Sequence, residues 1–165
     1  MKEYDIIIVG AGASGVYAAY ELTKLGSAAK VLMIDKGAPL EKRLCPIKSG
    51  AAASCVKCDP CHIMNGYGGA GTLSDGKYNI TTKFGGDLHN YVGMDEALGL
   101  MEYVDEILCA LGGAEARLYS TADTDLRTLA LRNNLHLLDA KVRHLGTDRN
   151  IKILEKIFDY TKDSV

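Results

Sequence analysis

The chain has 165 residues, of which 47% are hydrophobic, and a formal net charge of -2, so it holds enough apolar material for one ordinary domain. The near-balanced charge has no long basic run and argues against a nucleic-acid or anionic-membrane surface, and no apolar stretch approaches the length of a membrane span. Five cysteines, an odd number, with Glu3 and Asp5 standing ahead of the first apolar run where a signal peptide would not place them, indicate a reducing, cytoplasmic compartment rather than a disulfide scaffold.

The first element is a strand, Tyr4-Asp5-Ile6-Ile7-Ile8-Val9, whose isoleucine and valine content suits burial on both faces. It runs into Gly10-Ala11-Gly12-Ala13-Ser14-Gly15. Gly10 stands where a strand turns sharply into a helix, Gly12 where main chain must approach a ligand closely, and Gly15 where the helix packs on the strand. Apolar residues at 16, 18, 19, 22 and 25 then have helical spacing, and Gly26 is placed to end the helix. A second strand, Val31-Leu32-Met33-Ile34, stops on Asp35, 20 residues after Gly15. Together these are the parts of a Rossmann-like α/β unit holding an ADP-containing dinucleotide. The pyrophosphate would face the N–H groups of the first helix, around Ala13 and Ser14, and Asp35 would accept from the ribose hydroxyls.

Residues 36–90 are rich in Gly, Ser, Cys and Pro, with little periodicity, and read as a long excursion that wraps a ligand. A helix is expected over 95–111, with Leu98, Met101, Val104, Ile107, Leu108 and Leu111 on one face, Asp95 as N-cap and Gly112-Gly113 at its end. A shorter helix over 124–134, a strand at 135–138 and a loop over 143–148 follow. The last helix, about 149–161, turns Ile151, Leu154, Ile157 and Phe158 inward. A doubly wound sheet needs a third parallel strand beside the first two. None of good quality is visible, so the chain is expected to be an incomplete domain of a larger enzyme, 95–165 being a mostly helical continuation, and to be inactive alone.

A second glycine cluster, Gly66-Tyr67-Gly68-Gly69-Ala70-Gly71, with Thr72, Ser74, Asp75 and Lys77 behind it, suits a loop lying against a flat cofactor or its phosphates; a mobile surface loop is the alternative. Taken together, "VGAGASGVYAAYEL", "IDKG", "CxxCxxC", "GGAGTLSDGK", "GGDL" and "RHLGTDR" resemble the amino-terminal part of the bacterial and archaeal FAD-dependent dehydrogenases. The resemblance runs nearly the whole length and implies a glutathione-reductase-like FAD fold with flavin redox chemistry on an unidentified small-molecule substrate. It implies that Gly10, Gly12 and Gly15 hold the FAD pyrophosphate and Asp35 the ribose, and that Gly69, Ala70, Gly71, Thr72 and Ser74 lie near the flavin or its diphosphate. Lys36 and Arg43 then either reach the phosphates or adenine edge or are solvated surface cations.

Cys55, Cys58 and Cys61 have C-x2-C-x2-C spacing, with Cys45 ten residues earlier. A ferredoxin run would place a fourth cysteine three residues further on, so a fourth ligand would be Cys45 or His62. Zinc or iron–sulfur ligation, thiol redox alongside a flavin, and thiols without metal all stand as readings. Cys109 falls on a helix as a small core residue. His144, in "RHLGTDR", is a candidate acid–base or flavin-edge residue, or a histidine bonded to backbone, and Thr147 or Asp148 caps the final helix. Two other functions compete with the flavoenzyme reading. One is an NAD(P)-binding dehydrogenase, with NAD(P)H also a candidate electron donor to a flavin; the other is a metal or iron–sulfur module with a vestigial dinucleotide site. No Gly-x-Ser-x-Gly, paired-carboxylate or HExxH pattern supports hydrolysis.

Overall fold

The computed structural model of the chain describes residues 2–122 and 124–165. Strand β1 (Ile6–Val9), helix α1 (Ala13–Lys24) and strand β2 (Val31–Ile34) form a parallel βαβ unit, in register Ile6↔Val31 through Val9↔Ile34. The ladder continues past the strand, with Gly10 N donating to Ile34 O at 2.7 Å. Gly10 makes the turn at φ +103°, and Gly26 closes α1 at φ +62° with its N–H on Thr23 O, a left-handed position that a β-carbon disfavours. Val16 and Ala19 are fully buried on α1.

The expectation that β1 is buried on both faces is corrected. Ile6 and Ile8 are half-buried, but Ile7 is 57% and Val9 81% exposed. Side chains alternate across a strand. The face carrying Ile8 meets α1, since a β-carbon at Gly15 would come within 3.1 Å of Ile8 Cγ2, and the two-stranded sheet has no such layer over Ile7 and Val9 among the described residues.

The chain divides into two compact units. One comprises the residues up to Ser74 with Asn150–Val165, the other Asp75–Arg149; the division cuts across both the 36–90 and the 95–165 segments. In the first unit, 36–74 carries short 3-10 turns at Leu40–Lys42 and Gly69–Gly71.

The second unit contains β3 (Lys77–Ile80), a single helical turn α2 (His89–Val92), helix α3 (Met94–Ala110), β4 (Leu118–Ser120), a short helix α4 (Leu126–Arg132) and β5 (Lys141–His144). The strands form an antiparallel sheet in the order β3-β5-β4, with Lys77↔His144 and Leu118↔Arg143 in register. Strand β3 therefore lies inside the stretch read as aperiodic. Helix α3 agrees with the 95–111 expectation to one residue at each end, with Ile107 and Leu108 buried. Its N-cap is Gly93, and Asp95 sits in the first turn, where a carboxylate favours the helix dipole. Helix α4 falls within 124–134.

The strand expected at 135–138 is not formed; Leu135 and Leu138 are 62% and 52% exposed. The strand comes six residues later, in Lys-Val-Arg-His, part of which reads as loop. Its inward residue is a cation. Arg143, 8% exposed, is held bidentately by Asp105 (Nε–Oδ1 2.5 Å, Nη2–Oδ2 2.8 Å) and donates to Ala116 O at 2.6 Å. The last helix, α5 (Thr147–Thr161), begins two residues earlier than expected, and from Asn150 onward it belongs to the first unit. Leu154 and Ile157 are buried as expected, and Ile153 and Asn150 with them, whereas Phe158 is 45% exposed. Phe158 still meets the Tyr67 ring edge-on at 5.4 Å, and Tyr160 packs on Tyr20 of α1 at 5.2 Å.

Breaking a buried pair leaves an uncompensated charge, whereas replacing both partners with apolar groups does not. Asp105→Ala should therefore lower stability by about 3–5 kcal/mol in urea titration, and Asp105→Leu combined with Arg143→Met should recover most of that loss.

Candidate dinucleotide-binding site

Asp35, at the carboxyl end of β2, is a hub. Its Oδ2 accepts from Ala11 N at 2.9 Å, and its Oδ1 from Gly37 N at 2.7 Å and Gly66 N at 2.9 Å. One carboxylate thus ties the fingerprint turn, the exit of β2 and the start of the second glycine cluster. An ionised carboxylate offers about four acceptor positions, so roughly one is left for a hydroxyl from outside. Burial pushes Asp35 up, but the Gly37, Ala11 and Gly66 N–H groups, with the charge of Arg43, hold it below the ordinary carboxylate value.

The second glycine cluster lies on the first. Gly68 N donates to Ala11 O at 2.7 Å, and a β-carbon on Gly69 (φ +67°) would stand 3.0 Å from Gly12 Cα. Together they wall a cleft of about 590 Å³ whose lining includes Gly10, Gly12, Asp35, Lys36, Gly66 and Gly69. That volume is in the range of small-molecule and cofactor sites. Ala13 and Ser14 begin α1 and are exposed, with no side-chain cap at Gly12. Their N–H groups precede the first intrahelical bond, Val16 N to Gly12 O at 2.9 Å, so they are available to an anion. The glycines differ in kind: a β-carbon on Gly12 would point into open space, whereas one on Gly15 would lie 2.0 Å from Gly10 O.

Lys36 stands on the exposed rim of this cleft. Arg43 is no surface cation. It is 4% exposed and donates to His62 O (3.0 Å), Ile63 O (2.6 Å) and Tyr67 O (2.7 Å), so it anchors the loop that carries Gly66. Thr72 is fully buried with its hydroxyl on Tyr67 O at 3.0 Å, and the Ser74 hydroxyl turns back to Gly71 O at 2.7 Å. Both side chains brace the cradle, while Ala70 and Gly71 are its exposed part. Three structural contributors have no strong sequence signal. Asn150 of α5, 1% exposed, donates to Gly71 O and Thr72 O at 3.0 and 3.1 Å. Gly37 passes so close to Gly66 that a β-carbon would come within 2.2 Å of its nitrogen. Tyr67, 8% exposed, has its phenol pushed up to about 12 by burial, against an opposing contribution from Thr161. An asparagine inside a helix was the one available hint, being a poor helix former there.

Cys45, Cys58 and Cys61 are half-buried, Cys55 is exposed, and all are free thiols. Among the described residues no group of three or more His, Cys, Asp or Glu side chains is placed to hold a metal ion; the structure does not gather the cysteines as ligation needs. His144 is the last residue of β5, opposite Lys77 in the second unit.

Residues 8–40 match the family of NAD(P)-binding Rossmann-like domains. No curated protein matches the chain. The match and the parallel β1–β2 pair make this a Rossmann-like, dinucleotide-binding unit of the kind found in oxidoreductases.

Asp35→Asn turns one of these acceptors into a donor facing a backbone N–H. It should cost about 1–2 kcal/mol in urea titration at pH 7, at the low end for a charged acceptor because the carboxylate is partly solvated. A lowered folded-state value contributes stability above the ordinary carboxylate range of about 4, and that stability is lost as pH falls through the lowered value. The gap between wild type and variant should therefore close below about pH 4.

Proposed function

We propose that the chain is the dinucleotide-holding part of an FAD-dependent oxidoreductase. The observation that carries this reading is the second glycine cluster seated on the fingerprint, Gly69 against Gly12 and Gly68 N on Ala11 O. It adds a second wall of bare main chain to a cleft that a nicotinamide-binding turn would leave to the fingerprint alone. The donor set fits such a cofactor. Exposed N–H groups at Ala13 and Ser14 suit a diphosphate, the remaining acceptor position of Asp35 suits a ribose hydroxyl, and the Gly69–Gly71 backbone suits the next part of the dinucleotide.

When bound, the flavin supplies hydride or electron transfer to a small-molecule substrate. The chain's own part is to bind and orient. The Asp35 clasp fixes the turn and the cradle relative to each other, Arg43 and Asn150 hold the cradle from behind, and Lys36 places a positive charge on the rim near the phosphates. Five free thiols support a reducing, cytoplasmic setting, and among the described residues no helix is long and apolar enough to cross a membrane. The second reading, an NAD(P)-binding dehydrogenase domain, is favoured by the family matched at residues 8–40.

Calorimetric titration with FAD and with NAD+ separates the two. FAD should bind more tightly; tighter NAD+ binding would favour the second reading, and no binding of either would remove both. Gly12→Ala isolates the site from the fold. At φ -73° with open space for the new methyl, stability should stay within about 0.5 kcal/mol of wild type, while FAD affinity falls at least about tenfold because the methyl occupies the ligand's approach. Gly15→Ala should instead unfold the turn.

A further inference from the structure

The first unit holds a second cavity, of about 510 Å³, which shares Asp35 with the dinucleotide cleft. Its volume is again that of a small-molecule site. The walls are mostly apolar: Leu32 and Met33 of β2, Pro39 and Leu40 of the segment that follows, and Phe158 of α5. Tyr67 also lines it and is held firmly in place. Its N–H donates to Ala38 O at 3.3 Å, and its carbonyl accepts from Arg43 Nη1 at 2.7 Å and Thr72 Oγ1 at 3.0 Å. Its ring is fixed edge-on against Phe158.

The Tyr67 phenol oxygen is buried, and among the described residues no group is placed to hydrogen-bond with it. Thr161 is near enough to influence the phenol, but its own hydroxyl proton goes to Ile157 O at 3.0 Å and Phe158 O at 3.3 Å. A buried polar group without a partner is rare in folded proteins and costs free energy. Tyr67 and Thr161 both line the cavity, so the cavity is where a partner can stand. Its rim carries charge of one sign. Asp159 is paired with Lys162 at 2.8 Å, which leaves the exposed Glu41 and Glu155 as net negative charge.

We propose that this cavity binds a neutral aromatic molecule bearing a carbonyl oxygen, with the Tyr67 hydroxyl donating to that oxygen. The apolar walls take the body of the ligand, and the Tyr67 and Phe158 rings offer surfaces that suit a flat ring. A single donor sunk in an apolar wall fixes its orientation. Glu41 and Glu155 repel anions, so carboxylates and the phosphates of a dinucleotide are disfavoured. Burial pushes the phenol up to about 12, so it is a donor throughout the neutral range. The site needs no dinucleotide and stands apart from the reading above.

The test is calorimetric titration of the full chain with acetophenone, with ethylbenzene, which has a similar shape but no oxygen, and with benzoate, which is charged. Acetophenone should bind about two- to tenfold more tightly than ethylbenzene, the net worth of one hydrogen bond, and benzoate most weakly. Tyr67→Phe keeps the ring and removes only the hydroxyl. It should bring acetophenone down to the affinity of ethylbenzene, and its thermal midpoint should equal or exceed that of wild type, because the lost group has no partner in the free protein. Equal wild-type affinities for acetophenone and ethylbenzene, or no binding of either, would overturn the proposal. So would a lower midpoint for Tyr67→Phe, which would reveal a partner within the protein. Displacement of acetophenone by FAD would also overturn it, by assigning the cavity to the dinucleotide. Acetophenone binding without binding of FAD or NAD+ would leave this site standing and remove the dinucleotide reading. The wild-type comparison decides the proposal even where the variant fails to fold.

Discussion

The first unit depends on one carboxylate receiving three backbone N–H groups. Ala11, Gly37 and Gly66 are far apart in sequence, and each belongs to a turn where its N–H has no ladder or helix partner. Donors of that kind must be paired or hydrated. Asp35 pairs all three, and a neutral amide side chain could not, because one of its two terminal groups is itself a donor. The same interaction sets the position of Gly66 and hence of the Gly68–Gly71 segment that follows it. The cleft therefore exists because a strand-end acid organises main chain around itself, and a hydroxyl from a ligand would join a set of donors already in place.

Bare main chain then does what side chains cannot. Gly10 supplies a dihedral, Gly15 and Gly37 supply proximity to backbone, and Gly12 supplies room. Glycine costs conformational entropy on folding, roughly 0.5–1 kcal/mol relative to alanine at each position. A run of them is tolerable only where separate bonds restore order. Here those bonds come from Asp35, from Gly68 N on Ala11 O, and from Asn150, which reaches the Gly71 and Thr72 carbonyls from a helix that starts at residue 147.

The βαβ unit and helix α3 were legible in the sequence because their signals are local: apolar runs, helical spacing and terminal glycines. The fingerprint glycines and Asp35 were legible as a set for the same reason. The second unit's sheet was not, and Arg143 shows why. A period-2 reading looks for an apolar inward residue, but the inward position of β5 is an arginine balanced by Asp105, 38 residues away. Long-range pairing of that kind leaves no local trace. Arg43 escaped for the same reason: a cation in a glycine- and cysteine-rich stretch reads as surface or ligand-facing, while its partners are backbone carbonyls 19 to 24 residues downstream. The exposed face of β1 marks the reverse error. Isoleucine and valine content suits a buried strand, yet burial also requires a second layer, and composition cannot supply one.

Arg43 carries the argument one step further. An isolated buried cation is costly, and the cost falls when its N–H groups meet acceptors and an anion lies close. Three carbonyls satisfy the guanidinium geometrically, and Asp35 supplies charge on one side. Two of those carbonyls, of His62 and Ile63, lie inside the turn that Cys61 opens and Asn65 closes. The dinucleotide cleft and the cysteine turn are therefore built against the same charge. With Asp35 committed to three backbone donors and Arg43 to three backbone carbonyls, one acid and one cation hold the glycine segments and the cysteine turn in a common frame.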